Sequence, residues 1–123
     1  MVARKNLPPI QDQINLISSE ADILPGIRLV LAPGHTPGHM ALSVSSGGKQ
    51  LLVVSDGFLH PIHLEHPDWY AAVDLDPKQV ANTRRRLINL AAREEALVLA
   101  FHFPFPGLGH IVKKGDIWQW KAI

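Results

Sequence analysis

Short apolar runs, separated by glycine and proline pairs, dominate the first half of the chain and predict β-strands. Three such runs occupy residues 27–32, 40–44 and 50–54. The Ser-Ser-Gly-Gly segment at residues 45–48 predicts a hairpin turn between the second and third runs, because glycine tolerates positive φ. Residues 1–26 predict no regular element, since proline pairs and Pro25-Gly26 interrupt the pattern.

A helical period begins after Asp76 and predicts one long helix. Asp76 is a favourable N-cap, and Pro77 suits the first helical position. An apolar stripe is predicted at Val80, Leu87, Leu90 and Ala91, with Arg84, Arg85, Asn89 and Arg93 largely off it. A buried strand at residues 96–101, a loop at 102–109 and a terminal hairpin at 111–112 and 117–120 follow. This order predicts an α/β fold with a mixed sheet, in a single domain spanning residues 1–123.

The apolar runs at residues 51–54 and 97–100 are continuous rather than alternating. Such runs are typical of strands that are covered on both faces. One long helix covers only one face of a sheet. The pattern therefore predicts a second layer, supplied by a missing half of the fold or by dimerisation.

Composition narrows the classes of function. The chain has 123 residues, 46% of them apolar and 19% charged, with a formal net charge of +1, which favours a folded domain. The Arg84–Arg86 run points in several directions on a helix, so no nucleic-acid partner is expected. Neither a signal peptide nor an apolar stretch of membrane-spanning length occurs, which favours a cytoplasmic location without a membrane partner. The absence of cysteine excludes disulfides and thiolate chemistry.

Three side chains at the ends of apolar runs are candidate metal ligands. The segment Pro-Gly-His-Thr-Pro-Gly-His at residues 33–39 predicts a rigid loop that presents His39. Asp56 and His102 each follow a later run, where α/β sheets gather their sites. Imidazole and carboxylate donors suit zinc, and also manganese or iron. The alternatives are an ordinary turn for the histidine loop and a capping role for Asp56.

Four further residues are candidates for lining the pocket or supporting the ligands: His35, His60, His110 and Phe58. A structural role is the alternative for His110. His60, His63 and His66 share a spacing that would bind a metal on a helix, but Pro61 and Pro67 favour a loop. Trp69 and Tyr70, like Phe58, predict either an apolar wall for a substrate or core positions, with core favoured for Trp69.

The motif order resembles the metallo-β-lactamase superfamily, especially its branch of methyl parathion hydrolase and lactonase-like enzymes. The resemblance rests on the 33–39 segment, Ser-Asp-Gly at 55–57 and His-Phe-Pro-Phe-Pro-Gly-Leu-Gly-His at 102–110. It covers the chain from about Asn6 onward and implies half of an αββα sandwich. His39 and His102 would each bind one zinc, and Asp56 would bridge both and serve catalysis. A small-molecule ester, lactone or phosphotriester is the implied substrate.

The sequence departs from this family in lacking the His-x-His-x-Asp-His segment. The resemblance implies that this segment supplies about four ligands, so each metal would keep about two from this chain. Catalytic zinc usually has three protein ligands. Competence would therefore require a homodimer or a separate N-terminal half. The alternatives are a truncated, non-catalytic remnant and a protein-interaction module.

Overall fold

A seven-stranded mixed sheet forms the body of the computed structural model, which describes residues 2–123 and the side chains from Arg4 onward. The strands neighbour one another in chain order. They are β1 (Ala21–Leu24), β2 (Ile27–Leu31), β3 (Met40–Ser46), β4 (Lys49–Val53), β5 (Leu97–Leu99), β6 (Leu108–Lys114) and β7 (Ile117–Ala122). Strands β4 and β5 pair in parallel, and the other neighbours are antiparallel. The predicted mixed sheet is confirmed.

Helix α3 (Pro77–Arg93) is the connection that allows β4 and β5 to run parallel. Its predicted start is confirmed, since the Asp76 carboxylate accepts from the Gln79 N–H at 3.0 Å. Two shorter helices are α1 (Val2–Asn6) and α2 (Ile62–Glu65), and 3₁₀ turns occupy Pro8–Gln13 and Ser55–Gly57. Among residues 2–123, no helix combines the length and apolarity needed to cross a membrane.

Helix α3 covers one face of the sheet, and the core lies between them. Leu87, Ile88 and Ala91 of the helix are each at most 2% exposed. Alternate strand residues meet them: Val30, Ala41, Leu52, Val98 and Ile111. Because side chains alternate along a strand, this single helix fixes which residue of each neighbouring pair is buried.

The opposite surface, here called the open face, carries the intervening residues of β2 to β6. The strand register places Leu29, Leu42, Val53, Leu99 and Leu108 side by side across the sheet. A second row runs through Ile27, Val44, Leu51 and Leu97, and Leu31 pairs with Met40. All are aliphatic or methionine, and all remain partly exposed. The predicted uncovered face is therefore present in the described chain.

Two segments differ from the sequence-based expectations. Residues 1–26 were expected to be irregular, but they include α1, a 3₁₀ turn and the edge strand β1. Residues 62–65 form a one-turn helix between Pro61 and Pro67, where a loop was expected. Pro61 precedes the helix, where a proline removes no needed hydrogen bond, and Pro67 follows it. The two prolines therefore limit the length of this turn and do not prevent it.

Candidate functional site

The loop between β2 and β3 is held rigidly against helix α3. The Ala32 N–H donates to the carbonyl of His39 at 2.9 Å and closes the loop at its base. The Thr83 hydroxyl of α3 donates to the carbonyl of Pro33 at 2.6 Å. Gly34 has a φ of 130°, and a Cβ there would lie 2.7 Å from the Cα of Val80. Only glycine fits this close approach, so the motif glycine fixes the loop on the helix.

His39 is oriented by its own loop. Its Nδ1–H donates to the carbonyl of Ala32 at 2.8 Å, because a carbonyl oxygen only accepts. The Nε2 lone pair therefore points away from the loop, and it accepts from the Asp56 N–H at 3.1 Å. This is the tautomer that a histidine metal ligand adopts when its other ring nitrogen is held by a backbone carbonyl.

Asp56 lies at the carboxyl end of β4, beside the end of the parallel strand β5. Ser55, immediately before it, has a left-handed φ of 46°, a conformation rare outside glycine. The turn directs the Asp56 carboxylate toward His102, whose Nε2–H donates to Oδ1 at 2.8 Å. The two side chains are 43% and 46% exposed. The prediction that strand ends bring these residues together therefore agrees with the geometry.

His35 completes a group of four side chains, here called the Asp56 cluster: His35, His39, Asp56 and His102. The His35 Nε2 lies 3.8 Å from Asp56 Oδ2. The rings of His35 and His39 meet edge to face, with centroids 6.0 Å apart. On its other side, the Nδ1–H of His35 donates to Asp74 Oδ1 at 2.9 Å.

Asp74 and Arg84 form a buried pair behind His35 that the sequence reasoning missed. Arg84 is 0% exposed and donates to Asp74 Oδ2 at 3.3 Å and to the carbonyl of Gly57 at 2.9 Å. It also donates to the carbonyl of Trp69. Burial lowers the pKa of Arg84, which Asp74 opposes. Burial disfavours ionised Asp74, but hydrogen bonds from Ala71 N–H and His35, with the charge of Arg84, hold its pKa below the ordinary value.

The expected position of Arg84 off the apolar stripe of α3 is wrong. Val80, Arg84, Leu87 and Ala91 follow the 4-3-4 spacing of one helical face, and all four are buried. An arginine at such a position must find internal acceptors, because an unpaired buried charge is strongly destabilising. That spacing is the signal by which the sequence alone indicates a buried polar network.

Phe58 and His110 do not line the Asp56 cluster. Phe58 is 1% exposed and packs in the core, which agrees with the core alternative stated for it. His110 donates from Nδ1 to the carbonyl of Ala96, before β5, whereas His102 follows that strand. Its contact therefore lies at the opposite end of β5 from the cluster, which leaves the structural alternative for His110.

The three histidines of residues 60–66 occupy different environments. His60 is exposed, and its Nδ1 accepts from the Ile62 N–H at 3.1 Å. His63 is buried, and desolvation together with the nearby charge of Arg84 lowers its pKa to about 4. His66 stacks on Trp69 with ring centroids 4.2 Å apart. Trp69 is 54% exposed, so the core position favoured for it is wrong.

The donors of the Asp56 cluster fit zinc in kind, but they do not form a complete site. Imidazole and carboxylate are zinc ligands, and the fixed tautomer of His39 suits ligation. Within residues 2–123, however, no group of three or more His, Asp or Glu side chains is arranged to hold a metal ion. The Nε2 of His102 instead donates a hydrogen bond to the Asp56 carboxylate. The described residues thus present candidate zinc ligands without an assembled metal site.

No protein-family model matches the chain, but solved structures match it closely in fold. AidC, a dizinc quorum-quenching lactonase solved with its product, has a TM-score of 0.87 and 28% sequence identity over 99% of this chain. AbOPH, a hydrolase in the β-lactamase superfamily, has a TM-score of 0.82 at 24% identity over 98% of this chain. The chain is similar in fold to hydrolases of the metallo-β-lactamase superfamily.

The chain is short beside the proteins it resembles. It spans 42% of the length of AidC and 42% of AbOPH. The N-acyl homoserine lactonase of Bacillus thuringiensis is 24% identical over 89 residues, which are 71% of this chain and 34% of that relative. These proportions are consistent with one half of a metallo-β-lactamase fold, as the sequence predicts. The relatives are lactonases and hydrolases, one of them dizinc.

Proposed function

We propose that this chain supplies one half of the active site of a metal-dependent hydrolase. His39, Asp56 and His102 would hold the metal, and Asp56 would also serve catalysis as a ligand shared between two metal ions. The observation that carries the proposal is that both histidines contact Asp56: His39 Nε2 lies 3.1 Å from its backbone nitrogen, and His102 Nε2 lies 2.8 Å from its carboxylate Oδ1. These side chains come from three loops far apart in sequence, so their meeting is a product of the fold.

Zinc is the proposed metal, because relatives include a dizinc lactonase and the donors are imidazole and carboxylate. Manganese and iron accept the same donors. When bound, the metal pair would activate water and neutralise the charge that develops on a reacting carbonyl or phosphoryl oxygen. The substrates that fit this chemistry are small esters, lactones or phosphotriesters. A lactone is favoured, because two of the three similar proteins named above are lactonases.

The open face supports the part of the proposal that concerns a second half. Its two aliphatic rows resemble a sandwich interior rather than a solvated sheet surface. The Asp56 cluster lies at the carboxyl ends of β4 and β5, whose outward side chains belong to these rows. A second sheet packed on the open face would lie close to this end of β4 and β5, where it could supply the metal ligands that the Asp56 cluster lacks. We propose a second copy of this chain or a separate N-terminal half as that layer.

The test is the zinc content of protein purified without chelator, measured together with its molar mass in solution. We expect about one zinc per chain in a paired form, and hydrolysis of at least one lactone, aryl ester or phosphotriester. His39→Ala should remove the zinc. The matched control is His60→Ala, which deletes an exposed imidazole bonded only to the Ile62 N–H and should keep it. Zinc that stays in His39→Ala would contradict the assignment.

One observation favours a second candidate, a protein-interaction module. The open face is apolar, while the described residues hold no assembled metal group. A chain that pairs through this face but binds no zinc would favour the module over the hydrolase. A monomer without zinc or hydrolysis would indicate a non-catalytic remnant.

A further inference from the structure

Residues 4–19, here called the arm, lie beside the sheet, and none of their side chains is buried. The arm includes the end of α1, the 3₁₀ turn Pro8–Gln13 and a segment without regular structure that leads to β1. Its aliphatic side chains are each at least 36% exposed: Leu7, Ile10, Ile14, Leu16 and Ile17. A run of exposed aliphatic side chains marks a surface that packs against another one. The arm therefore carries an apolar surface that its own chain leaves uncovered.

The base of the arm is fixed to the body of the molecule at Glu20. The Glu20 carboxylate accepts from the Leu31 N–H at 3.2 Å and also pairs with Arg86 of α3. The next residue, Ala21, pairs with Leu29, a member of the first aliphatic row of the open face. The arm thus starts from a fixed point at the edge of the open face.

The open face contains a depression at the amino-terminal ends of β4 and β5, the end opposite the Asp56 cluster. Its volume is about 680 Å³. The floor consists of aliphatic residues of the second row: Val44, Leu51 and Leu97. The charged residues of the rim are Lys49, Glu94 and Glu95. An apolar floor with a charged rim is typical of protein interfaces, because the centre is desolvated while the rim stays in water.

The charges of the arm and of the rim are opposite in sign. The arm carries Arg4, Lys5 and Asp12, whereas the rim carries Glu94, Glu95 and Lys49. Glu94 already pairs with Arg93 at 3.0 Å, while Glu95 has no ion-pair partner among residues 4–123. Exposed ion pairs add little affinity, but complementary charges select an orientation. The aliphatic residues of the arm would therefore supply the affinity, and these charges would orient the arm.

The dimensions of the open face favour a second copy as the owner of the arm that fills the depression. The two aliphatic rows span five strands, so their flat area is roughly 300–400 Å² at about 4.8 Å per strand and about 7 Å per row. A stable interface buries about 800 Å² on each partner, so contact between two such sheets alone is small. Residues 14–19 reach roughly 20 Å when extended, which exceeds the roughly 10 Å between packed sheets. An arm can therefore cross to a partner and add the missing contact area.

We propose that this chain forms a two-fold symmetric pair in which the arm of each copy fills the depression on the open face of the other. The inference rests on the second layer of the proposed function and names a second copy as its occupant. In one chain the arm and the depression are both uncovered. Exchange between two copies covers both arms and both depressions, and it closes the assembly at two chains. The row nearer the Asp56 cluster remains available for contact between the two sheets.

Sedimentation at micromolar concentration tests the role of the arm. Ile10→Asp places a charge among the aliphatic residues, and Gln13→Asp adds the same charge at a polar position of the same turn. Neither residue is buried, so both variants should fold as the unmodified chain does. Because an unpaired charge is costly in an apolar depression, Ile10→Asp should weaken pairing about tenfold or more, whereas Gln13→Asp should leave it nearly unchanged. A monomeric unmodified chain, or equal pairing of the two variants, would overturn the proposal.

The absence of cysteine allows a direct test of the contact by disulfide formation. Ile10→Cys combined with Leu51→Cys places one thiol on the arm and one on the floor of the depression. Mild oxidation should link residue 10 of one copy to residue 51 of the other, giving a covalent dimer whose linkage is identified by peptide mass. The control combines Ile10→Cys with Arg85→Cys, on an exposed position of α3, and should give far less linked product. A monomer with an internal 10–51 disulfide, or as much product from the control, would overturn the exchange.

The zinc measurement of the proposed function is independent of both tests. An Ile10→Asp variant that pairs as well as the unmodified chain and binds zinc would overturn the exchange of arms and leave the proposed function standing. A covalent dimer linked through residues 10 and 51 that binds no zinc would support the exchange and contradict the proposed function.

Discussion

The two faces of the sheet have similar apolar strands but opposite surroundings. On the face covered by α3, Val30, Leu52 and Val98 are at most 5% exposed. On the open face their sequence neighbours Leu29, Leu51 and Leu99 are as apolar yet partly exposed. Alternate residues of one strand therefore face either the packed side under α3 or the open face. The difference shows that the strands encode two interiors, of which the described residues fill one.

Polar positions sharpen the contrast. On the covered side, polar residues occupy the strand positions that the buried residues of α3 do not cover. They are Arg28, Ser43 and Gln50. At the same level on the open side lie Ile27, Val44 and Leu51. A sheet surface that always faced water would alternate apolar and polar residues. The open face has the composition of a buried surface, which supports the proposed second layer.

The largest expected effect separates two adjacent leucines of β4. Leu52→Ala should reduce the free energy of unfolding by about 2–5 kcal/mol, because it leaves a cavity in a packed core. Leu51→Ala removes the same atoms from the open face and should cost less than about 1.5 kcal/mol in the unpaired chain. Chemical denaturation of both variants at low protein concentration measures the difference. Equal losses of stability in the two variants would contradict the division into a covered face and an open face.

The free energy of unfolding is expected to vary with pH by up to about 3 kcal/mol because of buried His63. Burial, with the charge of Arg84, lowers the pKa of His63 to about 4. In the unfolded chain the pKa is near 6.5, so the unfolded state binds more protons between these values. Stability should therefore fall as the pH drops from 6.5 to 4. Denaturation at a series of pH values measures the slope.

The same pH series tests whether His63 is the source of that slope. His63→Gln removes the titrating group and should flatten the dependence between pH 4 and 6.5. His60→Gln makes the matched change at an exposed histidine and should retain the slope. A slope that survives in His63→Gln would assign the acid sensitivity to other groups.

Loss of the N-cap of α3, the helix that covers one face of the sheet, should reduce the free energy of unfolding by about 1 kcal/mol. Asp76→Ala removes the acceptor for the Gln79 N–H and leaves a helix donor unsatisfied. Asp68→Ala changes an exposed aspartate outside the helix and should be nearly neutral. Thermal unfolding of the two variants provides the comparison. A neutral Asp76→Ala would show that the cap adds nothing to the packed helix.

The sequence predicted the parts of the fold that depend on local pattern. The strands around residues 40–54, the capped helix after Asp76 and the uncovered face follow from spacing and from continuous apolar runs. The candidate ligands His39, Asp56 and His102 could be named, because each follows a predicted strand. Their meeting depended on the parallel pairing of β4 and β5, which a pattern along the chain does not specify.

What the sequence did not predict depends on long-range contacts. Arg84 is charged, so a position off the apolar stripe was the simplest interpretation. Its burial depends on partners in the connection between β4 and α3. Phe58 is buried and Trp69 is exposed, although a core position was favoured for Trp69. Aromatic residues in a proline-bounded loop have no periodicity that reveals their direction. Strand β1 was hidden by its short length at the sheet edge.

The smallest change in folding stability should accompany the loss of pairing at the open face. Leu42→Lys places a charge within the row from Leu29 to Leu108. Because this side chain is partly exposed in the single chain, unfolding should change by only about 0.5 kcal/mol. Burying the charge between two sheets would be costly, so the variant should remain monomeric where the unmodified chain pairs.

Sedimentation at micromolar concentration measures this difference. Ser46→Lys adds the same charge at the exposed hairpin tip and should leave pairing intact. If the unmodified chain is itself strictly monomeric, the second copy is excluded as the missing layer, and a separate N-terminal half remains. If Leu42→Lys pairs as well as the unmodified chain, the interface lies elsewhere. The open face would then be an exposed surface despite its composition, and the comparison between the two faces would concern packing alone.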